Sequence, residues 1–249
     1  MRARGFTLIE LLVVIAIIAV LVAIFAPVFV AAKNAVKQSV AISAGRQLHM
    51  ATELYMGDHA DTFPLAVYTT PSGWQTWYGL QTGQSEWDVQ QGILGPYRGD
   101  KVPRDPSHVA RPYLGDNSGF GYNYGYIGGD FHISGDWSHF PNCVRPATVG
   151  ELASPSTTVV FASSVYFNAP WLPNGDGMNY DFGFIDPPEA WNGNPNVDFR
   201  HFGKRTVSAT EQEVDDDGRA VVVFADGRVK PMKKSQLEAA FFRRLQNTN

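Results

Sequence analysis

The chain has 249 residues, of which 44% are hydrophobic and only 18% charged, and its formal net charge is −4. This mild acidity, without clustered Lys or Arg, excludes the electrostatic footprint of a nucleic-acid-binding protein. Cys143 is the only cysteine in the sequence, which excludes a disulfide within the chain. We expect a buried, inert thiol, with a reactive or intermolecular thiol as the alternatives.

The first predicted element is a membrane-inserted helix. The 22 residues from Leu11 to Ala32 carry no charge and are nearly all Val, Ile, Leu, Ala or Phe. About 20 such residues span the ~30 Å hydrocarbon layer, whereas a secretory signal has a shorter apolar stretch. A buried core helix is the alternative, but so long an uncharged run is rare in soluble domains. Arg2 and Arg4 are expected to keep the N-terminus cytoplasmic.

Glu10 is a carboxylate at the start of this apolar run. A charge in hydrocarbon costs a few kcal/mol, and such residues are usually functional and paired. In an isolated chain Glu10 could lie at the headgroup level, where it costs little. Cleavage before Phe6 would instead create a new α-amino group, which the Glu10 of a neighbouring subunit could neutralise in a packed bundle.

The segment from Gly5 to Ile18 resembles the class III leader junction of type IV prepilins and type II secretion pseudopilins. The resemblance implies cleavage between Gly5 and Phe6 by a prepilin peptidase, N-methylation of Phe6, and filament docking guided by Glu10. It also implies a single pass through the bacterial inner membrane and assembly machinery there, followed by a periplasmic or extracellular filament. Pro27 matches the family's helix-interrupting proline, and its missing N–H favours a kink or local melting.

The helix is predicted to continue beyond the membrane to about Gly57. Apolar residues recur every three or four positions, which is typical of an amphipathic helix with one buried face: Val36, Val40, Ala44, Leu48, Ala51 and Tyr55. Gly57, Asp58, Asp61 and Pro64 then favour its end. We therefore expect a leader at 1–5, a transmembrane or filament-core helix at 6–32, its amphipathic continuation at 33–60, and a globular domain at 61–249.

The region from Leu65 to Asn142 combines Gly, Pro, Asp and Asn with aromatic residues and shows no strong period. The aromatic side chains include Trp74, Trp77, Tyr78 and Trp87, and a cluster from Phe120 to Tyr126. These residues could form a sugar-binding or adhesive surface. We prefer the alternative, in which they fill the core of a loop-rich fold.

Strand signals are concentrated in the C-terminal part. Residues 157–162 form a β-branched run, and residues 219–224 and 228–232 flank the turn Ala225-Asp226-Gly227, an Asp-Gly hairpin signal. Ser235 to Glu238 have capping-box spacing and predict a short C-terminal helix that buries Leu237, Phe241, Phe242 and Leu245. The predicted class is α+β and pilin-like: a long helix whose hydrophobic half protrudes and whose amphipathic half packs on an antiparallel sheet.

The C-terminal region extends the resemblance to large-bodied pilin-like proteins with a processing-associated domain. That domain is named for a His followed after nine residues by Asp-Gly, and we place it at about 196–232. In this chain 24 residues separate His201 from Asp226, which departs from the pattern by a 15-residue insertion. Members often carry Cys-Pro in mid-body, and the nearest match here is Arg104-Asp105-Pro106, without the cysteine.

No phosphate loop, zinc-protease motif or Cys-x-x-Cys is present in the sequence, and we expect no enzymatic activity and no catalytic residues. His201 with Asp226 suggests a catalytic or metal pair, but a buried histidine and a turn aspartate explain both. Asp215, Asp216 and Asp217 could hold Ca²⁺ through carboxylate oxygens, as some pseudopilins do in a C-terminal loop. We prefer an exposed, solvated turn at this position and expect no other cofactor.

The leading hypothesis is a structural subunit of a type IV pilus-like filament or a type II secretion pseudopilus. It would self-associate through its N-terminal helix, with Glu10, Phe6 and Pro27 contributing to assembly. One alternative is a minor tip pilin or adhesin that binds a surface glycan or protein. The other is a membrane-tethered monomer.

Overall fold

The computed structural model describes residues 7–83, 86–135, 138–139, 141–142, 145–168, 174–187, 196–203, 205–207, 212–214 and 217–244. The chain forms two compact units, Met1–Lys37 and Gln38–Asn249. The four predicted segments stay predictions. Cys143 and Leu245 lie outside the described residues.

Helix α1 extends over Leu8–Asp58, so its predicted end at about Gly57 is confirmed. The helix continues through Pro27, and the local melting expected there is not observed. Proline removes its own N–H and crowds the carbonyl four residues earlier, but the hydrogen bonds of the rest of the 51-residue helix outweigh this local cost. α1 ends where Ala60 and Asp61 adopt left-handed φ angles of 50° and 56°.

Within the second unit, α1 buries a stripe of small and medium-sized residues: Ala41, Ala44, Gly45, Leu48, Ala51, Thr52 and Met56. The predicted face was right for Ala44, Leu48 and Ala51, and it was wrong for Val36 and Val40, which are exposed. A repeat of four residues drifts around a helix of 3.6 residues per turn, and the buried stripe therefore begins one position later, at Ala41.

A five-stranded sheet forms the centre of this unit, with the order β10 (Phe184–Ile185), β6 (Phe120–Asn123), β7 (Val159–Ser163), β13 (Arg219–Phe224) and β14 (Val229–Lys233). The β13–β14 hairpin pairs Arg219 with Lys233 and Val223 with Val229, which confirms the predicted Asp-Gly turn. All neighbours in the sheet are antiparallel except β10 and β6, which are parallel. An ideal Cβ on Gly45 of α1 would lie 2.9 Å from Val223 Cγ2, so the helix packs closely on this sheet.

Side chains alternate between the two faces of a strand, and neighbouring residues of β13 show that both faces of the central sheet are buried. Val221 and Val223 of β13 belong to one hydrophobic cluster together with Leu48 of α1 and Trp77. Val222 and Phe224 belong to a second cluster that includes Phe242 from the C-terminal segment. The core therefore has two layers, one on each side of the sheet.

Within the described residues, the body also contains three smaller sheets, with the orders β1-β2-β3-β4, β5-β9-β8 and β11-β12. The strand bounds are Val67–Thr70 (β1), Gly73–Thr76 (β2), Leu80–Gln81 (β3), Trp87–Asp88 (β4), Arg111–Leu114 (β5), Phe120–Asn123 (β6), Val159–Ser163 (β7), Tyr166–Asn168 (β8), Met178–Phe182 (β9), Phe184–Ile185 (β10), Arg205–Val207 (β11), Gln212–Val214 (β12), Arg219–Phe224 (β13) and Val229–Lys233 (β14). Two four-residue helices, Gly95–Arg98 (α2) and Phe131–Ser134 (α3), connect strands. The predicted α+β class, a long N-terminal helix followed by a β-sheet-rich body, is confirmed.

The C-terminal segment differs from its prediction. Two 3₁₀ turns, Lys234–Gln236 and Ala239–Phe242, replace the short helix predicted from Ser235. The first is capped by Lys233, whose N–H donates to Gln236 Oε1 at 3.0 Å. Glu238 is extended, and this break lets Leu237 and Phe242 both enter the second core cluster.

Candidate functional site

The N-terminus of α1 is capped by Thr7 and Glu10. Both the N–H and the hydroxyl of Thr7 donate to Glu10 Oε2, at 2.8 and 2.7 Å, and the Glu10 N–H approaches the Thr7 hydroxyl at 3.3 Å. Thr7 is therefore the N-cap and Glu10 the third helical residue of a capping box. The carboxylate is satisfied within the chain, next to the positive end of the helix dipole.

This cap was missed by the sequence analysis, although the spacing Thr-x-x-Glu at 7–10 is its usual signal. Gly5 and Phe6, the predicted processing residues, lie outside the described residues. The structure therefore places one of the predicted assembly residues at the very start of the helix and another, Pro27, inside it.

The apolar half of α1 exposes large side chains along its whole length. Leu8, Ile15, Ile24 and Phe29 are all more than half exposed. In the described part of the chain, α1 is the one helix long and apolar enough to cross a membrane. A surface of this kind is unfavourable in water and is suited to lipid or to neighbouring helices.

In the body, the structure does not bring His201 and Asp226 together. His201 pairs with Arg219 at the first residue of β13, whereas Asp226 follows the last residue of that strand and accepts from the Arg228 N–H at 3.0 Å. The two therefore lie at opposite ends of a six-residue strand, roughly 17 Å apart at ~3.3 Å per residue. The preferred interpretation, a buried histidine and a turn aspartate, agrees with this geometry.

The partner of His201 is Asp105, which lies 96 residues earlier in the chain. The His201 Nε2–H donates to Asp105 Oδ2 at 3.0 Å, and both side chains are buried. Burial acts to raise the pKa of Asp105, but the His201 imidazole and the Arg200 guanidinium outweigh it and hold that pKa below its usual range. Asp105 belongs to Arg104-Asp105-Pro106, the segment that we compared with the Cys-Pro of related proteins.

Arg200 connects this pair to a second buried histidine. Its Nη1 lies 2.7 Å from His108 Nδ1, and a guanidinium can only donate. Nδ1 must therefore accept, which leaves the proton on Nε2, where it is donated to Asp181 Oδ1 at 2.8 Å. The geometry fixes a neutral His108 in its Nε2–H form between Arg200 and Asp181.

A third buried acid, Asp116, lies beside this network. Its Oδ1 accepts from the Ser118 N–H at 2.9 Å. Its Oδ2 is 3.6 Å from Arg98 Nη1, and neither of these two atoms has a hydrogen-bond partner. Burial and the charge of Asp181 raise the pKa of Asp116 to about 6.

The buried network is suited to fixing the body rather than to reacting with a substrate. The side chains of His201, Asp105, His108 and Asp181 are all at most 3% exposed. Groups that are buried and mutually paired are costly to break but add little net stability. These pairs join segments that are far apart in sequence, and their role is therefore structural.

Of the three aspartates considered for Ca²⁺, Asp215 and Asp216 lie outside the described residues. Asp217 is described, is well exposed, and lies 3.3 Å from Lys233 Nζ. Within the described part of the chain, no group of three or more His, Cys, Asp or Glu side chains could hold a metal ion. The calcium site stays a prediction.

The aromatic residues between Leu65 and Asn142 divide into two groups. Trp77, Tyr78 and Tyr122 are completely buried, and the Trp77 Nε1–H donates to the Gly183 carbonyl at 2.6 Å. The preferred prediction, that aromatic residues of this region fill the core, is confirmed for these side chains. Tyr113, on β5, is instead 41% exposed.

Comparison with known proteins finds one match, at the N-terminus. The family model of the prokaryotic N-terminal methylation motif matches residues 1–26, the segment that contains Gly5, Phe6, Thr7 and Glu10. No curated protein and no solved structure matches the chain. The motif supports a type IV pilin-like prepilin N-terminus, with processing by a peptidase and a membrane-anchored helix.

Proposed function

We propose that this protein is a structural filament subunit of a type IV pilus-like or type II secretion pseudopilus assembly. The observation that carries the proposal is the position of Glu10: a carboxylate in a methylation motif, at the first turn of a helix that then exposes only apolar residues as far as Ala32. An anchor alone would need only the apolar run.

In the proposed cycle, a prepilin peptidase cleaves between Gly5 and Phe6 on the cytoplasmic side and Phe6 is N-methylated. The membrane-inserted subunit keeps Glu10 satisfied through its capping box with Thr7. On assembly in the inner membrane, the α-amino group of a neighbour's Phe6 pairs with Glu10. Each charge is then compensated inside an apolar helix bundle, where an unpaired one would cost several kcal/mol.

The exposed apolar half of α1 is the proposed self-association surface. Side chains such as Ile15, Ile18 and Phe25, all more than half exposed, contact lipid before assembly and the α1 helices of other subunits afterwards. Pro27 leaves the Ala23 carbonyl without its helical donor, which lowers the cost of bending α1 in a crowded filament. The filament is then periplasmic or extracellular.

The test compares Gly5→Arg and Glu10→Ala in the organism that makes the protein. Gly5→Arg removes the small residue at the cleavage junction, so the full-length precursor should accumulate. Glu10→Ala should be processed normally but should not enter filaments. Mass spectrometry of sheared surface filaments and of membranes reads the N-terminal residue, its methylation and the amount of assembled subunit.

Two further variants make this test specific. Glu53→Ala removes an exposed glutamate from the same helix and should assemble normally. Thr7→Val removes the hydroxyl of the capping box but leaves Glu10 in place, so it should assemble better than Glu10→Ala. A membrane-tethered monomer would show equal behaviour for Glu10→Ala and Glu53→Ala, and a mature protein that begins at Met1 would contradict the processing step.

A further inference from the structure

The outer side of the sheet β5-β9-β8 carries a group of partly exposed tyrosines. We call Tyr113, Tyr166, Met178 and Tyr180 the tyrosine face. Tyr166 pairs with Tyr180 across β8 and β9, and alternation along β9 puts Met178 on the same side as Tyr180. The opposite side of β9 faces inward, since Asp181 is buried.

The rings of this face lie side by side. The Tyr113 and Tyr166 centroids are 5.8 Å apart with the rings inclined by 32°, and Tyr113 meets Tyr180 edge-on at 6.0 Å. Tyr113 and Met178 are 41% and 40% exposed. The Trp87 Nε1–H donates to the Tyr113 carbonyl at 3.3 Å, and this contact helps to hold β5 in place.

A set of planar polar groups borders the rings. Asp176 accepts from the Tyr180 hydroxyl at 2.7 Å, from the Asn168 amide at 3.1 Å and from Arg111 Nη1 at 3.2 Å. Arg111 and Asp176 carry opposite charges that cancel, so the face offers little attraction to a strongly anionic or cationic partner. Asp176 also accepts from the Met178 N–H at 3.0 Å, so its lone pairs are all used, but the exposed Arg111 guanidinium keeps N–H groups that can bind neutral hydroxyl groups.

We propose that the tyrosine face binds a neutral oligosaccharide. The C–H side of a pyranose ring is flat and apolar and fits against an exposed aromatic ring, while its hydroxyls can bind the amide oxygen of Asn168 and the free N–H groups of Arg111 at the border. Ligand sites commonly combine an apolar aromatic floor with a few directed polar groups in this way. The proposal goes beyond the filament role and does not depend on it.

The exposed area argues against a second copy of the chain as the occupant. Each of the four side chains leaves about 100 Å² or less in contact with solvent, since a fully exposed aromatic offers up to ~250 Å². The face therefore offers at most roughly 400 Å², no more than about half of the ~800 Å² that each partner contributes to a standard protein interface. One or two sugar rings fit an area of this size.

The test titrates the full-length protein in a zwitterionic detergent without a sugar headgroup. Cellohexaose, chitohexaose and maltohexaose are used as probes, together with a printed array of neutral glycans, and binding is measured by calorimetry. We expect saturable binding of at least one probe. Tyr113→Ala should weaken it by about ten-fold or more, because it removes the ring on which the sugar stacks, and Tyr113→Phe should retain most of it.

Phe202→Ala is the matched control, since Phe202 is also 41% exposed but lies outside the tyrosine face, and it should leave binding unchanged. The proposal is wrong if no neutral glycan binds, or if Phe202→Ala weakens binding as much as Tyr113→Ala. It is also wrong if Tyr113→Ala changes the oligomeric state and not saccharide binding. Glu10→Ala should leave binding unchanged, so failure here is distinguishable from failure of the filament role.

Discussion

Replacing Asp116 by Asn should stabilise the body at neutral pH. The Asp116 side chain is only 1% exposed, and its nearest cation, Arg98, lies 3.6 Å away without a hydrogen bond. Burial and the neighbouring Asp181 raise the pKa of Asp116 from 3.8 to about 6. Asparagine is close in shape to the protonated acid, and its side-chain oxygen can still accept the Ser118 N–H.

The size of the effect follows from proton linkage. A difference of about 2 in pKa corresponds to about 3 kcal/mol, at roughly 1.4 kcal/mol for each factor of ten in proton affinity. The folded state binds this proton more tightly than the unfolded chain does. The stabilisation that comes from protonated Asp116 in the folded state is therefore complete below about pH 4, and it is lost as the pH rises through about 6. The side-chain amide of the Asp116→Asn variant does not titrate, so the variant should keep that stability.

The assay is urea unfolding of the full-length protein in zwitterionic micelles, followed by tryptophan fluorescence between pH 4.5 and 8. The quantity of interest is the difference in unfolding free energy between Asp116→Asn and the parent. It should be about 3 kcal/mol at pH 7.5 and should fall to about 1 kcal/mol at pH 4.5. Burial lowers the pKa of His49, which gives the parent an opposite pH dependence, but this contribution cancels in the difference.

Asp58→Asn serves as the control, because Asp58 is exposed and accepts a hydrogen bond from Tyr97 at 3.1 Å. It removes the same charge from the chain and should show no comparable rise with pH. A difference for Asp116→Asn that is independent of pH, or that is negative at pH 7.5, would refute the reasoning. In that case the ion pair with Arg98 would outweigh the cost of burying the carboxylate.

Three further changes should alter stability, each measured as unfolding free energy in the same micelles. Ala60→Gly should stabilise the protein by about 0.5–1 kcal/mol. A φ of 50° strains a residue with a Cβ, and relief of this strain should exceed the entropic cost of a more flexible unfolded chain. A loss of stability would contradict the strain. Gly45→Val should cost about 1–3 kcal/mol by overpacking against Val223, 2.9 Å from its new Cβ, and an unchanged midpoint would show that the sheet can yield. Asp105→Ala should cost about 3–5 kcal/mol, since it leaves His201 buried without its acceptor, while Asp105→Asn should cost less.

The best-predicted features of this protein are those whose signals are close together in sequence. The uncharged run from Leu11 to Ala32 gives the apolar helix, and Asp226-Gly227 gives the β13–β14 hairpin. The cap formed by Thr7 and Glu10 was equally local and was available from its spacing. The C-terminal helix was predicted wrongly because burial of Leu237 and Phe242 on the sheet outweighed the local capping signal.

Features that join distant segments depended on the tertiary structure. The sequence placed His201 and Asp226 in one motif, but β13 separates them and Asp105 takes the place of the partner. The parallel pairing of β10 with β6 and the assembly of the tyrosine face from β5, β8 and β9 have no signal in any short segment. Contacts of this kind are selected by packing and burial over the whole body.

The N-terminal helix could therefore be predicted from the sequence alone, whereas the surface of the body could be described only from the folded structure. The signals for this helix are its apolar length, the capping spacing and the predicted processing junction. Each of them is local in sequence and depends little on the rest of the fold. The burial of Asp116 and the exposure of Tyr113 are decided by neighbours far away in the chain, such as Asp181 and Tyr180. Only the folded chain brings those neighbours into contact.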